Sequence, residues 1–124
     1  MNRGKTILII DDDARNIFAL TAVLRAKGFA SVSAAYATEG IEKLKTDRNI
    51  GIVFMDMMMP DMDGYTAISQ IRGDAGLAAI PVIAVTAQAM AGDREKCLEA
   101  GANDYISKPI DQDTMLAILH SYLD

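Results

Sequence analysis

Three aspartates, Asp11, Asp12 and Asp13, follow the apolar run Ile7–Ile10, and a lone Asp56 closes a second run, GIVFM. Carboxylates at that density repel one another, so their grouping at the ends of apolar segments calls for a cation between them. Two more apolar runs end in polar side chains: Thr86 follows PVIAV, and Lys108 follows DYIS. Clustered carboxylates make a hard, oxygen-rich site suited to Mg²⁺ rather than zinc or copper. A carboxylate is also a nucleophile towards phosphorus and forms an acyl phosphate. Asp56, alone at a run's end before a loop, is the candidate for that role. A lysine such as Lys108 neutralises phosphoryl oxygens, and a threonine such as Thr86 donates a hydrogen bond to one. Ala87 is small enough to leave the group room.

That chemistry needs elements that bring the four run ends together. TILII, ASVSAA, GIVFM, PVIAV and DYIS read as strands, and all but ASVSAA are continuous apolar runs. Such runs belong to strands buried on both faces of a parallel sheet. The small residues of ASVSAA place it towards an edge. Between the strands, Ile17, Leu20 and Leu24 recur at helical spacing, with Gly28 as a stop. A second helix is predicted to open at the N-cap Thr38 and to carry Ile41 and Leu44. A third follows Gly64 with Ile68 and Ile71 and runs out at Gly73. A fourth ends in LEAGAND at Gly101, and a fifth sets Met115, Leu119 and Tyr122 on one stripe. Fivefold strand–helix alternation predicts an α/β sandwich. In such sheets, sites form at the carboxyl ends of the strands, where Asp11, Asp12, Asp56, Thr86 and Lys108 converge.

The whole chain narrows the function further. Its 124 residues suit one domain, 1–124, with a hydrophobic content of 51%. A net charge of -5, with basic residues scattered, argues against direct nucleic-acid binding. MNRGK is followed by too short an apolar run for a signal peptide, and no stretch is long enough for membrane insertion. The single cysteine, Cys97, allows no internal disulfide and suits a cytoplasmic location.

Taken together, ILIIDDD, VFMDMMMPDMDG, PVIAVTA and DYISKP, in that order, resemble the receiver domains of two-component response regulators over essentially the whole chain. The resemblance implies a flavodoxin-like, doubly wound five-stranded parallel sheet of order 2-1-3-4-5 with five helices. It implies that Asp11 and Asp12 bind Mg²⁺, that Asp56 is the phosphoacceptor and a metal ligand, and that Met58 adds a backbone carbonyl. Thr86 and Lys108 then sense the phosphoryl group, and the Tyr105 rotamer follows Thr86, switching the surface of the fourth helix, fifth strand and fifth helix. The phosphodonor would be a histidine kinase or histidine phosphotransfer protein, with a downstream protein partner. Chemistry would be limited to self-phosphorylation and slow autodephosphorylation, so the chain is not read as an enzyme. A cis Lys108–Pro109 bond is also expected. Stretches such as DDDARNIFALTAVLRAKG resemble receivers of hybrid kinases, which leaves both free and tethered forms open.

Other residues have plainer readings. Asp13 is expected to cap the first helix, and Asp61, Asp63 and Gly64 to build the turn into the third. Five of the eight methionines fall in MDMMMPDM, read as a soft apolar loop beside the site. Met58 lacks a polar side chain to orient a hydrolytic water, whereas the Gln88 amide has one. His120 has no acidic partner in sequence to activate it. Two alternatives remain. A haloacid-dehalogenase-like phosphotransferase would use acidic groups two apart, as Asp11 and Asp13 are, but Arg15 stands where a Thr or Val belongs. An inert receiver-like interaction module would have lost an Asp, Thr or Lys.

Overall fold

The computed structural model describes residues 5–59, 61–87 and 92–123. Gln88 and Pro60 lie outside the described residues. Strands and helices alternate strictly: β1 (Thr6–Ile10), α1 (Ala14–Ala26), β2 (Ala30–Ala34), α2 (Ala37–Thr46), β3 (Ile50–Asp56), α3 (Gly64–Gly73), β4 (Val82–Thr86), α4 (Asp93–Ala100), β5 (Asp104–Ser107) and α5 (Gln112–Leu123). The strands form one sheet in the order β2-β1-β3-β4-β5, and every neighbouring pair is parallel.

Continuous apolar runs become buried strands because each face of the sheet carries its own core. Leu8, Ile10, Val53, Met55, Val82 and Ala84 face one way, against Ile41 and Leu44 of α2, Ile68 and Ile71 of α3, and Cys97 of α4. Their neighbours Ile7, Ile9, Ile52, Phe54, Ile83 and Val85 face the other way, against Leu20 and Leu24 of α1 and Met115 and Leu119 of α5. Burial of each such Ile or Leu contributes about 1.5–3 kcal/mol. Tyr122 is partly buried against the second core, completing the predicted α5 stripe.

β2 is an edge strand, as its composition implied. Its Ala34 carbonyl accepts from the Asp11 N–H at 3.0 Å, towards β1. Lys43 of α2 reaches back to donate to the Ser33 carbonyl at 2.6 Å.

Most helix ends follow the sequence reading. Asp13 caps α1, accepting from the Arg15 N–H. Asp63 caps α3, accepting from the Thr66 N–H at 2.7 Å. Gly101 ends α4 with φ +120°, a conformation open to glycine without strain. α2 differs. It begins at Ala37, and Thr38 is not its N-cap. The orphan N–H groups of Ala37 and Thr38 donate instead to Asp61, 3.1 Å away in each case, so a carboxylate from the β3–α3 loop caps α2. The Thr38 hydroxyl donates to the same carboxylate. Asp61 therefore ties two elements together and is not simply a turn residue. Among the described residues, no helix is long and apolar enough to cross a membrane.

Candidate functional site

Parallel pairing carries the run ends to one edge. Ile10 is paired with Met55, which sets Asp11 beside Asp56 across β1 and β3. Asp56 is paired with Val85, one residue before Thr86, and Thr86 with Ser107, one residue before Lys108. The Lys108 N–H donates to the Thr86 carbonyl at 2.7 Å, and the Lys108–Pro109 peptide is cis, as expected.

One carboxylate oxygen each from Asp11, Asp12 and Asp56 lie within 4.8 Å of one another. Asp11 and Asp56 are buried, while Asp12 is exposed at the rim. The Lys108 ammonium is 3.2 Å from Asp11 Oδ2 and 3.3 Å from Asp56 Oδ2. Asp56 Oδ1 accepts from the Met58 N–H at 3.0 Å. Thr86 closes β4 and is buried, and Tyr105 packs partly buried against the core that holds α2 and α3. The structure thus brings Asp11, Asp12, Asp56 and Lys108 into one cluster, with Thr86 at the adjoining strand end. Tyr105 stands further back on β5.

The electrostatics follow from three carboxylates and one ammonium. Burial pushes the Asp56 carboxyl above its ordinary value; the Met58 N–H and the Lys108 ammonium pull it down, and the Asp11 charge adds to the rise. Burial pulls Lys108 down, but its bond to Asp11 and the Asp11 and Asp56 charges outweigh that and hold the ammonium above its usual value. The donor set fits a hard divalent cation: three oxygens in reach of one centre, two buried and one open to solvent, with surplus negative charge.

Asp13, the third aspartate, stays out of the cluster because its carboxylate is spent on the α1 cap. The loop after Asp56 is tightly packed: a Cβ at Gly64 would lie 2.7 Å from Met57 Cα, so only glycine fits there. Met57 and Met59 are buried, whereas the Met58 side chain is 58% exposed. A cleft of about 360 Å³ beside the cluster is lined by Asp12, these three methionines and Asp63. A larger cavity of about 520 Å³ at the opposite edge, between Lys5, Arg48 and Ile80, holds none of the predicted residues. His120 is exposed and lies edge-on to Phe29, with the ring centroids 6.4 Å apart.

Sequence reasoning missed Asn16. Its side-chain amide donates to Asp11 Oδ2 at 2.6 Å, while Asp11 Oδ1 accepts from the Asp13 N–H at 2.9 Å. The available signal was slight: an Asn one helical turn beyond the aspartates. Asn16 orients a carboxylate of the cluster without belonging to it. Asn16→Ala should therefore weaken Mg²⁺ binding about tenfold, as loss of a ligand's orienting partner generally does. An NMR titration with Mg²⁺ checks this, and an unchanged midpoint would show that the bond orients nothing.

Comparison with known proteins places this geometry. The pattern of the response regulator receiver domain family matches residues 7–120. The protein PilH of Pseudomonas aeruginosa is 34% identical over 117 residues, covering 94% of this chain and 96% of its own. The polar-differentiation response regulator DivK of Brucella ovis is 31% identical over 119 residues, covering 96% of each chain. The crystal structure of the receiver domain of the sensor histidine kinase PA1611 from Pseudomonas aeruginosa, with a magnesium ion coordinated in its active-site cleft, superposes with a TM-score of 0.87. It is 34% identical, and the match covers 97% of this chain and 98% of that one.

Proposed function

Because the chain belongs to the response regulator receiver domain family, we propose that Asp56 is its phosphoacceptor, and that Asp11, Asp12, Asp56 and the Met58 backbone carbonyl hold Mg²⁺. The observation that carries this reading is the buried Asp56 carboxylate, set between a second buried carboxylate and an ammonium at 3.3 Å. When bound, Mg²⁺ supplies positive charge that offsets the clustered carboxylates and the incoming phosphoryl oxygens.

The residues of the chain do the rest. Asp56 must be ionised to attack phosphorus; burial opposes that form, and the Met58 N–H and Lys108 favour it. An oxygen of Asp56 forms the new P–O bond as the bond from phosphorus to the donor breaks, giving a carboxyl phosphate. Lys108, released from Asp56, follows the negative charge onto the phosphoryl oxygens. The Thr86 hydroxyl turns towards one of those oxygens. Met58 offers no polar side chain to orient a hydrolytic water, in keeping with slow autodephosphorylation.

Residues 1–124 act as one receiver domain in the cytoplasm. The donor is a histidine kinase or a histidine phosphotransfer protein, and the output passes to another protein. A haloacid-dehalogenase-like reading would need Asp13 beside Asp11, and the Asp13 carboxylate faces its own helix instead. Acetyl phosphate with Mg²⁺ should add one phosphate to the chain by intact mass, without turnover of p-nitrophenyl phosphate. Steady turnover of the ester with no stable adduct would overturn the reading.

The switched surface comprises α4, β5 and α5, read through Thr86 and Tyr105. An interaction that favours one state by about 1–3 kcal/mol is enough to bias partner affinity. Amide exchange with and without beryllofluoride should change across these three elements. Changes confined to the loops carrying Asp11 and Asp56 would refute that assignment.

A further inference from the structure

A second polar group lies between α3, α4 and β5, away from the carboxylate cluster. Asp93 is the first residue of α4, and its Oδ1 accepts from the Tyr65 hydroxyl at 3.0 Å. Its Oδ2 is buried and, among the described residues, has no hydrogen-bond partner. Tyr65 is held over its ring by Lys96, whose Nζ is 4.6 Å from the centroid. The carboxylate therefore cannot swing freely: one oxygen is anchored to α3 and the other points into protein.

Asp93 also influences Tyr105 on β5. Burial and then the charge and hydrogen-bonding influence of Asp93 hold the Tyr105 hydroxyl above its ordinary pKa. Burial and the bond to Asp93 act on Tyr65 in the same direction. Both hydroxyls thus sense one carboxylate; the Tyr65 hydroxyl bonds its Oδ1, while its Oδ2 has no partner among the described residues. A buried carboxylate oxygen without a donor is unfavourable, and a donor brought to it by a side-chain rotation is favoured in proportion.

We propose that Asp93 is a positioning residue for the switch: its Oδ2 accepts the Tyr105 hydroxyl in the phosphorylated state and so couples α4 to β5. This rests on the reading of Thr86 and Tyr105 as the switch pair. The hydrogen bond is made in one state only, so it biases the equilibrium between the two. By linkage, whatever weakens the bond weakens binding of the phosphoryl group's mimic at Asp56, although Asp93 touches neither.

The test uses the whole chain labelled with 3-fluorotyrosine, its four tyrosine resonances assigned by Tyr→Phe substitution and followed by fluorine NMR. In the parent, beryllofluoride with Mg²⁺ should move the Tyr105 resonance. Asp93→Asn keeps one carbonyl oxygen for Tyr65 and replaces the second acceptor with a donor. It should need about tenfold more beryllofluoride for half conversion, a typical coupling between two sites, and should leave the affinity for Mg²⁺ alone unchanged. Tyr105→Phe, which removes only the donor, should lose as much, and the double variant no more. If Asp93→Asn converts at the parent's concentration, or if the two losses simply add, the coupling is absent and the switch reading survives. If Tyr105 of the parent does not respond at all, the switch reading itself fails and the role of Asp93 goes with it.

Discussion

Asp56→Asn should take no phosphate from acetyl phosphate and, in EDTA, should melt higher than the parent protein. The first effect removes the nucleophile, since an amide does not attack phosphorus. The second follows from charge. Asp56 is 3% exposed, and its carboxyl titrates above the ordinary value of 3.8 chiefly because of burial. A raised folded pKa means that the stability contributed by the protonated form is present below 3.8 and is lost as pH rises through the folded value. At neutral pH the parent without metal has lost it. Asparagine removes the charge and keeps an oxygen for the Met58 N–H, while Lys108 retains Asp11 at 3.2 Å. The gain should be about 1–2 kcal/mol, or roughly 4–8 °C in Tm for a chain of this size. Mg²⁺ at about 100 times its dissociation constant should add about 2.7 kcal/mol to the parent and less to the variant. Melts of both proteins at neutral pH, in EDTA and in Mg²⁺, check this together with intact mass after acetyl phosphate. A parent indifferent to Mg²⁺, or a variant that melts lower in EDTA, would mean that the aspartates are not a repelling metal site.

Arg72→Ala should be the most damaging change far from the site. Arg72 ends α3, and its guanidinium donates to the Gly101 carbonyl at 2.8 Å, to Ala78 and Ile80 carbonyls at 3.1 and 2.7 Å, and to Asn103 Oδ1 at 2.5 Å. Asn103 Oδ1 also accepts from the Val82 N–H at 2.9 Å, which extends the network to the start of β4. One side chain thus ties α3 to the loop before β4 and to the turn before β5. Bonds to a charged donor are each worth about 1.5–3 kcal/mol. Water replaces part of this at the surface, so the net loss should be about 2–4 kcal/mol. Urea unfolding measures it, with an unchanged slope showing that two-state behaviour is retained. Arg72→Lys should recover little, because an ammonium cannot reproduce the fork. Phosphorylation should proceed to the same extent in both variants, as α3 runs from the site edge to the opposite one. A loss under about 0.5 kcal/mol, the scale of an ordinary surface substitution, would show that the network is replaceable by solvent.

The two residues differ in how visible they are in sequence. Asp56 is legible because a parallel sheet turns sequence position into spatial position: a polar residue after an apolar run lies at the carboxyl edge wherever the run falls in the chain. The sheet order followed from the family resemblance, the edge placement of β2 from its small residues, and the capping role of Asp13 from its place at the start of a helix. Arg72, Asn16 and Asp61 are not legible that way. Arg72 is bonded largely to main-chain carbonyls, which carry no sequence signal. Asp61 caps a helix that starts 24 residues earlier, whereas local reading assigned that cap to Thr38 because Thr38 is adjacent. Asp93 carries no sequence signal beyond an acidic residue in the first turn of α4, and the packing of α3 and β5 is what brings tyrosines to it.

The outer side of β2 has a consequence for life in a crowded solution. Main-chain carbonyls alternate in direction along a strand, so with Ala34 turned towards β1, Ser33 offers its carbonyl to the outside. An unpaired carbonyl row of this kind is a template on which a strand from another molecule can grow. Lys43 already occupies the Ser33 oxygen at 2.6 Å and brings a positive charge to the edge. An intruding strand would have to displace that ammonium, which Glu39 also holds at 3.6 Å, from the strand edge. A helix lysine thereby guards the open edge of the sheet against the addition of a further strand.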